Sequence, residues 1–207
     1  IKWHPLTARR AIFAAWVLGQ EQDAEVIAKI AADPKVDFRT RKDALIALLE
    51  WNNPPVPDPV TGFARTLPEN RIKLNSSIVE NLKGLLDGVD KSSVELIPRA
   101  LILSEQDQIP LGELRLTRYL KDEKYPEEAR VKSMKLLAPL KESNSAWPFT
   151  LQKLFADKSD KVRSMARELL FKNDPDRATA QLGNLLTSKG ATLKEKQLTL
   201  QTLTKLK

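Results

Sequence analysis

The sequence predicts an all-α protein built from a succession of like helical hairpins, an α-solenoid, and three observations lead there. Composition is the first. Only seven glycines and two tyrosines occur among 207 residues, against abundant Leu, Ala, Lys and Glu, which favours helix over sheet. The second is periodicity, since apolar residues recur three and four apart in segment after segment. The third is a fixed interval. In Asp160-Lys-Val-Arg-Ser-Met-Ala-Arg-Glu-Leu-Leu170, a frame set at Arg163 puts a small residue at Ala166 and a leucine at Leu170. Steps of 33 residues carry that frame back to Arg130 and Ile97 and forward to Lys196. A step of 56, or 33 plus 23, reaches Arg41, and another 33 reaches Ala8. Helical repeats of this length bury their apolar faces by stacking on their neighbours, so about five and a half pairs are expected in a single domain over residues 1–207.

The elements follow in order. Pro5 to Gly19 carries Ala8, Ala11, Ile12, Ala15 and Leu18 on one face, with Gly19 as the C-cap. Trp3, Phe13 and Trp16 are large for so alanine-rich a helix; packing on a neighbouring repeat is the preferred reading and a ligand groove the alternative. Asp23 to Ala32 and Asp37 to Trp51 make a hairpin around the Asp33-Pro34 turn, and Arg39, Arg41 and Lys42 crowd the start of its second helix, where the macrodipole disfavours cations. Each should therefore find an acid or a carbonyl.

Asn52 to Lys73 holds five prolines and is the insertion that interrupts the interval. Proline has no amide donor, so this segment is a loop. A loop of such length is either a strap, with Val56, Val60 and Phe63 pinning it across a helix pair, or a binding loop; the strap is preferred. Helices are then expected over Leu74 to Asp87, Ser92 to Glu105 with Pro98 in its first turns, Pro110 to Lys121, and Pro126 to Lys141. Asn144 to Ala156, Asp160 to Lys172 with Ser159 or Asp160 as N-cap, Asp174 to Thr187, and Thr192 to Leu206 complete the series.

Composition also removes function classes. Without cysteine there is no disulfide framework, thiolate catalysis or cysteine-ligated metal, and one histidine makes no His pair for zinc. His4 lies ahead of Pro5 and supports no triad; no Gly-rich phosphate loop and no acidic cluster with metal spacing occurs. No apolar run is long enough for a signal peptide or a membrane span, so no membrane insertion is expected. The chain opens at Ile1 and closes on Lys-Leu-Lys, and it is read as a piece of a longer protein. The expectation is a protein without enzymatic activity or cofactor.

Asp160-Lys-Val-Arg163, followed by Ala166 and Leu170, resembles the Asp-x-Val-Arg core of HEAT repeats, and Glu127-Glu-Ala-Arg130 is a looser copy. Ala44-Leu-Ile-Ala-Leu-Leu-Glu-Trp51, with Pro54, Pro55, Asp58, Val60, Gly62 and Arg65 after it, resembles the HEAT-like segment of large bacterial multidomain proteins. Those proteins join a sorbosone-dehydrogenase-like β-propeller to such repeats and a C-terminal c-type cytochrome module. The likeness implies a spacer or docking solenoid outside the cytoplasm, in the periplasm, with flanking domains of the same chain as partners. Ile97-Pro98 departs from the pattern and marks a degenerate middle repeat.

A net charge of +7 leaves a second function open. Some HEAT-like folds, the alkylpurine DNA glycosylases among them, grip DNA in a basic concave face. Arg41, Arg130, Arg163 and Lys196 would then form a ladder that meets phosphates. In the preferred reading each arginine bonds a carbonyl or acid of the adjacent repeat instead. The candidate binding surface comprises these four residues with Phe63 and Arg65 of the loop.

Overall fold

A computed structural model of the chain describes residues 4–55, 57–58, 61–64, 66–88, 90–107, 109–141 and 143–204. Among these residues all the regular structure is helical, with an isolated bridge between Pro57 and Ala64 in place of any strand. Two compact units arise, residues 1–112 with 124–126, and residues 113–123 with 127–207.

The first unit contains α1 (Pro5–Leu18), α2 (Glu21–Ala32), α3 (Phe38–Leu49), α4 (Ser77–Asn81), α5 (Lys83–Leu86) and α6 (Lys91–Gln106). Gly19 stops α1 in the left-handed region at φ 68°, where its amide still reaches the Ala15 carbonyl at 3.0 Å. Because the Asp23 carboxylate reaches back to the Gln20 amide at 3.1 Å, α2 starts at Glu21, two residues before the sequence expectation. Asp37 caps α3 by accepting from the Thr40 amide at 3.0 Å. Asp90 does the same for α6, from Ser93 at 2.9 Å.

The helix expected over Leu74 to Asp87 is instead two short ones, α4 and α5, meeting at Leu82. Packing sets the path here, because a side chain at Gly84 would begin 3.1 Å from the Ala32 carbonyl of α2. Pro98 falls inside α6 rather than in its first turn, leaving the carbonyl four residues earlier without a helical donor.

The second unit contains α7 (Glu113–Lys121), α8 (Glu127–Leu140), α9 (Trp147–Lys153) running into a 3₁₀ turn at Leu154–Ala156, α10 (Asp160–Asn173), α11 (Pro175–Thr187) and α12 (Leu193–Leu203). Gly112 adopts φ 78°, so α7 begins at Glu113 and not at Pro110. The Asn144 side chain accepts from the Ala146 amide at 2.9 Å, a local turn that delays α9 to Trp147. Ser159 caps α10, and Thr192 caps α12 in a reciprocal pair with Glu195.

The frame found in the sequence is a burial pattern in the structure. Ala44, Leu45 and Leu48 of α3 are fully buried, as are Ser133, Met134 and Leu137 of α8 and Ala166 and Leu170 of α10, and Ala100 and Leu101 of α6 are similarly enclosed. The pattern weakens in α1, where Ala11 and Ala15 are half-buried, and in α12, where Leu200 is 52% exposed. Within the first unit α2 packs on α3, α1 on α3, and α3 on α6; within the second, α7 packs on α8, α8 on α10, and α10 on α11 and α12.

Candidate functional site

The frame arginines lie where side chains cross from one helix pair to the next. Arg41 leaves α3 pointing inward and is 1% exposed. Its Nε donates to the Ala31 carbonyl at 2.9 Å, at the C-terminal end of α2, where the helix carbonyls lack internal partners. Its Nη1 meets the Asp90 carboxylate at 3.3 Å and its Nη2 donates to Ser93 Oγ at 2.6 Å, both at the start of α6. One guanidinium thus ties the end of its own pair's first helix to the beginning of a following helix.

Arg130 repeats the arrangement in the second unit. Its Nε donates to the Leu120 carbonyl at 3.1 Å, ten residues back as Ala31 is from Arg41, and its two Nη groups grip Asp157 as a fork. Both side chains are 7% exposed. Arg163 varies the theme: Nη1 donates to the carbonyls of Asp157 at 2.7 Å and Lys158 at 3.0 Å, while Nε meets Glu195 at 2.7 Å. Glu195 also receives Arg167 Nη1 at 2.9 Å, so two guanidiniums share one carboxylate that is only 2% exposed.

These bonds set the carboxylates' ionisation. The Arg163 bond, joined by Arg167 and Thr192 against an opposing cost of burial, holds Glu195 far below the usual carboxylate range. Burial alone would raise Asp157, but bonds from Arg130 and the Ser159 amide outweigh it and the net shift is downward. Asp90 follows the same logic through Ser93 and Arg41. Glu127 is lowered by Lys161 and Ser159.

Lys196, the fourth member of the ladder, is half-buried on α12 and makes no ion pair or hydrogen bond among the described residues. Phe63 is 74% exposed, so it pins nothing. The reason is a tight turn in which the Asp58 amide donates to the Phe63 carbonyl and the Asp58 carboxylate accepts from the Thr61 amide, leaving the ring outside. Arg65, Val56, Val60 and Trp3 lie outside the described residues.

Arg71 is the loop residue that sequence reasoning missed. Its Nη1 donates to the carbonyls of Trp16 and Val17, the latter at 2.7 Å, and its Nη2 to that of Trp51. The guanidinium therefore sits on the C-terminal ends of α1 and α3 together, over the Trp51 ring at 5.2 Å. The Trp51 indole donates to the Ile72 carbonyl at 2.8 Å, and the Ile72 amide donates to the Gly19 carbonyl at 3.0 Å. Pro54 in the same loop is also buried. The far end of the loop is thus fastened to the C-terminal ends of α1 and α3 by Arg71 and Ile72.

Phe13 and Trp16 pack edge to face at 6.3 Å, almost fully buried, and the Trp16 indole donates to the Glu50 carbonyl at 3.2 Å. A cleft of about 190 Å³ remains beside them, closed at one side by the Arg9–Asp43 ion pair. His4 caps α1 at the surface, its ring accepting from the Leu6 amide at 3.4 Å. Among the described residues no group of three His, Asp or Glu side chains is placed to hold a metal ion, and no helix is long and apolar enough to cross a membrane. No protein-family model matches the sequence, and neither a curated protein nor a solved structure matches it.

Proposed function

We propose that this chain is a non-catalytic HEAT-like α-solenoid of five to six helix pairs, an interaction or spacer module within a larger extracytoplasmic protein of the dehydrogenase and cytochrome type. The observation that supports this reading most strongly is the recurrence of one device in both units. Arg41 and Arg130 each donate to a carbonyl ten residues back and each reach forward to an aspartate, Asp90 at the cap of α6 and Asp157 two residues before the cap of α10. Bonds near the repeat length add to it: Arg9 to Asp43, the Trp16 indole to the Glu50 carbonyl, Ser159 to Glu127, and Lys161 to Glu128. Side chains consumed in joining successive pairs leave the function to the outer surface, as in repeat scaffolds generally.

The same observation weighs against the DNA-gripping alternative, because a phosphate contact needs a guanidinium that reaches solvent, and Arg41 and Arg130 do not. Filter binding of duplex DNA over a range of salt tests the choice. Scaffold behaviour predicts weak retention that Arg163→Ala leaves unchanged while melting falls. Affinity that drops steeply with salt and is lost in Arg163→Ala at unchanged melting would overturn it. The coding sequence on either side of Ile1 and Lys207 tests the context: a propeller or a Cys-x-x-Cys-His supports it, and a parent protein with neither contradicts it.

A further inference from the structure

We propose that the pocket between α10 and α12 in the second unit binds a small carboxylate with a short apolar chain, of the size of a medium-chain fatty acid, and that Arg167 holds its head group. The site goes beyond the scaffold reading and does not depend on it.

Arg167 is buried where the helix packing asks for no charge. Four residues after the frame, α1, α3, α6 and α8 hold Ile12, Leu45, Leu101 and Met134, all buried and apolar, whereas α10 holds Arg167 at 9% exposure. The tie to α12 is already made at the frame position itself, where Arg163 Nε meets Glu195 at 2.7 Å. Arg167 adds a bond to the same carboxylate, from Nη1 at 2.9 Å, and its carbon lies 5.3 Å from the centre of the Phe155 ring. Its Nε and Nη2 make no hydrogen bond among the described residues. Two guanidiniums thus share one buried carboxylate, and the surplus positive charge is costly to enclose unless an anion completes it.

The space for that anion is present. A pocket of about 250 Å³ is lined by Arg167 together with Val131, Met165, Leu182 and Leu198, one apolar residue from each of α8, α10, α11 and α12. Ser164 lines it too, and its hydroxyl is buried without a partner, which supplies a second donor. Of the other charges on the wall, Lys161 is taken up by Glu127 and Glu128, and Glu168 by Lys172, so the uncompensated charge stays with Arg167. A carboxylate accepts from a guanidinium as a fork, as Asp157 does from Arg130, and the apolar wall takes the chain behind it. The volume falls just below that of ordinary small-molecule sites, about 300–1,000 Å³. A helix, about 10–12 Å across with its side chains, does not enter such a space, so the occupant is a small molecule and not a further repeat.

Octanoate is the probe, titrated into the full chain by calorimetry with amide exchange measured alongside. Saturable binding is expected, with slower exchange in α10 and α12. Octanol keeps the chain and loses the charge, so it should bind about tenfold more weakly or worse. Arg167→Met installs the side chain that α8 has at the matching position. It should weaken octanoate binding by about tenfold or more while melting stays unchanged or rises. Leu198→Trp, at a wall residue that is 36% exposed, should block octanoate without touching the buried ions, and it decides the matter if Arg167→Met does not fold. Lys161→Ala should bind octanoate as the parent chain does. Equal affinity for octanoate and octanol, undiminished binding in Arg167→Met or Leu198→Trp, or no saturation up to about 10 mM octanoate would overturn the site.

Discussion

Arg71→Ala should destabilise the first unit by about 3 kcal/mol, although Arg71 lies in a proline-rich loop with no helical pattern. Three carbonyls lose a charged donor, those of Trp16, Val17 and Trp51, and hydrogen bonds to charged groups contribute about 1.5–3 kcal/mol each when well enclosed. The residue is half-buried and the freed carbonyls can rehydrate, which brings the total below three full contributions, to about 3 kcal/mol. Loss of the stacking on Trp51 adds a fraction of a kcal/mol. Urea unfolding followed by tryptophan fluorescence reads the change, because Trp16 and Trp51 are both buried in this unit.

Gly19 sharpens the test. A side chain there would sit 2.6 Å from Arg71 Nη1, and its φ of 68° carries a backbone cost of about 1–2 kcal/mol for any other residue. Gly19→Ala must therefore both strain the backbone and push the guanidinium off its carbonyls. In an Arg71→Ala background only the backbone cost remains, so the two changes should fall short of additivity by about 2 kcal/mol. Strict additivity, or an Arg71→Ala effect no larger than that of the exposed-site control Phe63→Ala, would refute the clamp.

The remaining predictions concern the buried ions. Arg41→Ala should cost about 3 kcal/mol, since it takes the buried charged donor from the Ala31 carbonyl and leaves Asp90 and Ser93 only their bonds to each other, whereas Lys42→Ala nearby should be within about 0.5 kcal/mol of neutral; equal effects would contradict the assignment. Glu195 is held below its ordinary value of 4.5 in the folded state, so it contributes stability that is fully present above that pH and is lost progressively as the pH falls beneath it. Glu195→Gln should begin less stable at neutral pH and show a flatter acid limb for the second unit. Parallel acid limbs would show that the Arg163 and Arg167 bonds do not carry the effect.

Much of the fold was legible because it is written in local chemistry. Gly19, Asp37 and Ser159 cap where their types predict, and the small and leucine positions at 33-residue steps are the ones buried in α3, α8 and α10. What failed to show was set by contacts distant in sequence. Nothing local in Leu74 to Asp87 announces that Gly84 must approach Ala32, so one helix was expected where two form. Arg71 binds carbonyls 54 and 20 residues away, and no motif surrounds it. The partners of the frame arginines lie between these cases. Asp90-x-x-Ser93 and Asp157-Lys-Ser159 read as helix starts, but their second task appears only when a guanidinium arrives from an earlier pair.

A double-mutant cycle on Arg130 and Asp157 bears most directly on the claim that frame arginines bind one helix pair to the next. Both side chains are almost fully enclosed and joined by two bonds, so Arg130→Ala, Asp157→Ala and the double variant should give a coupling of at least about 1.5 kcal/mol in urea unfolding of the second unit. A coupling near zero, with each single change costing little, would mean that the arginine ladder does not hold the helix pairs together.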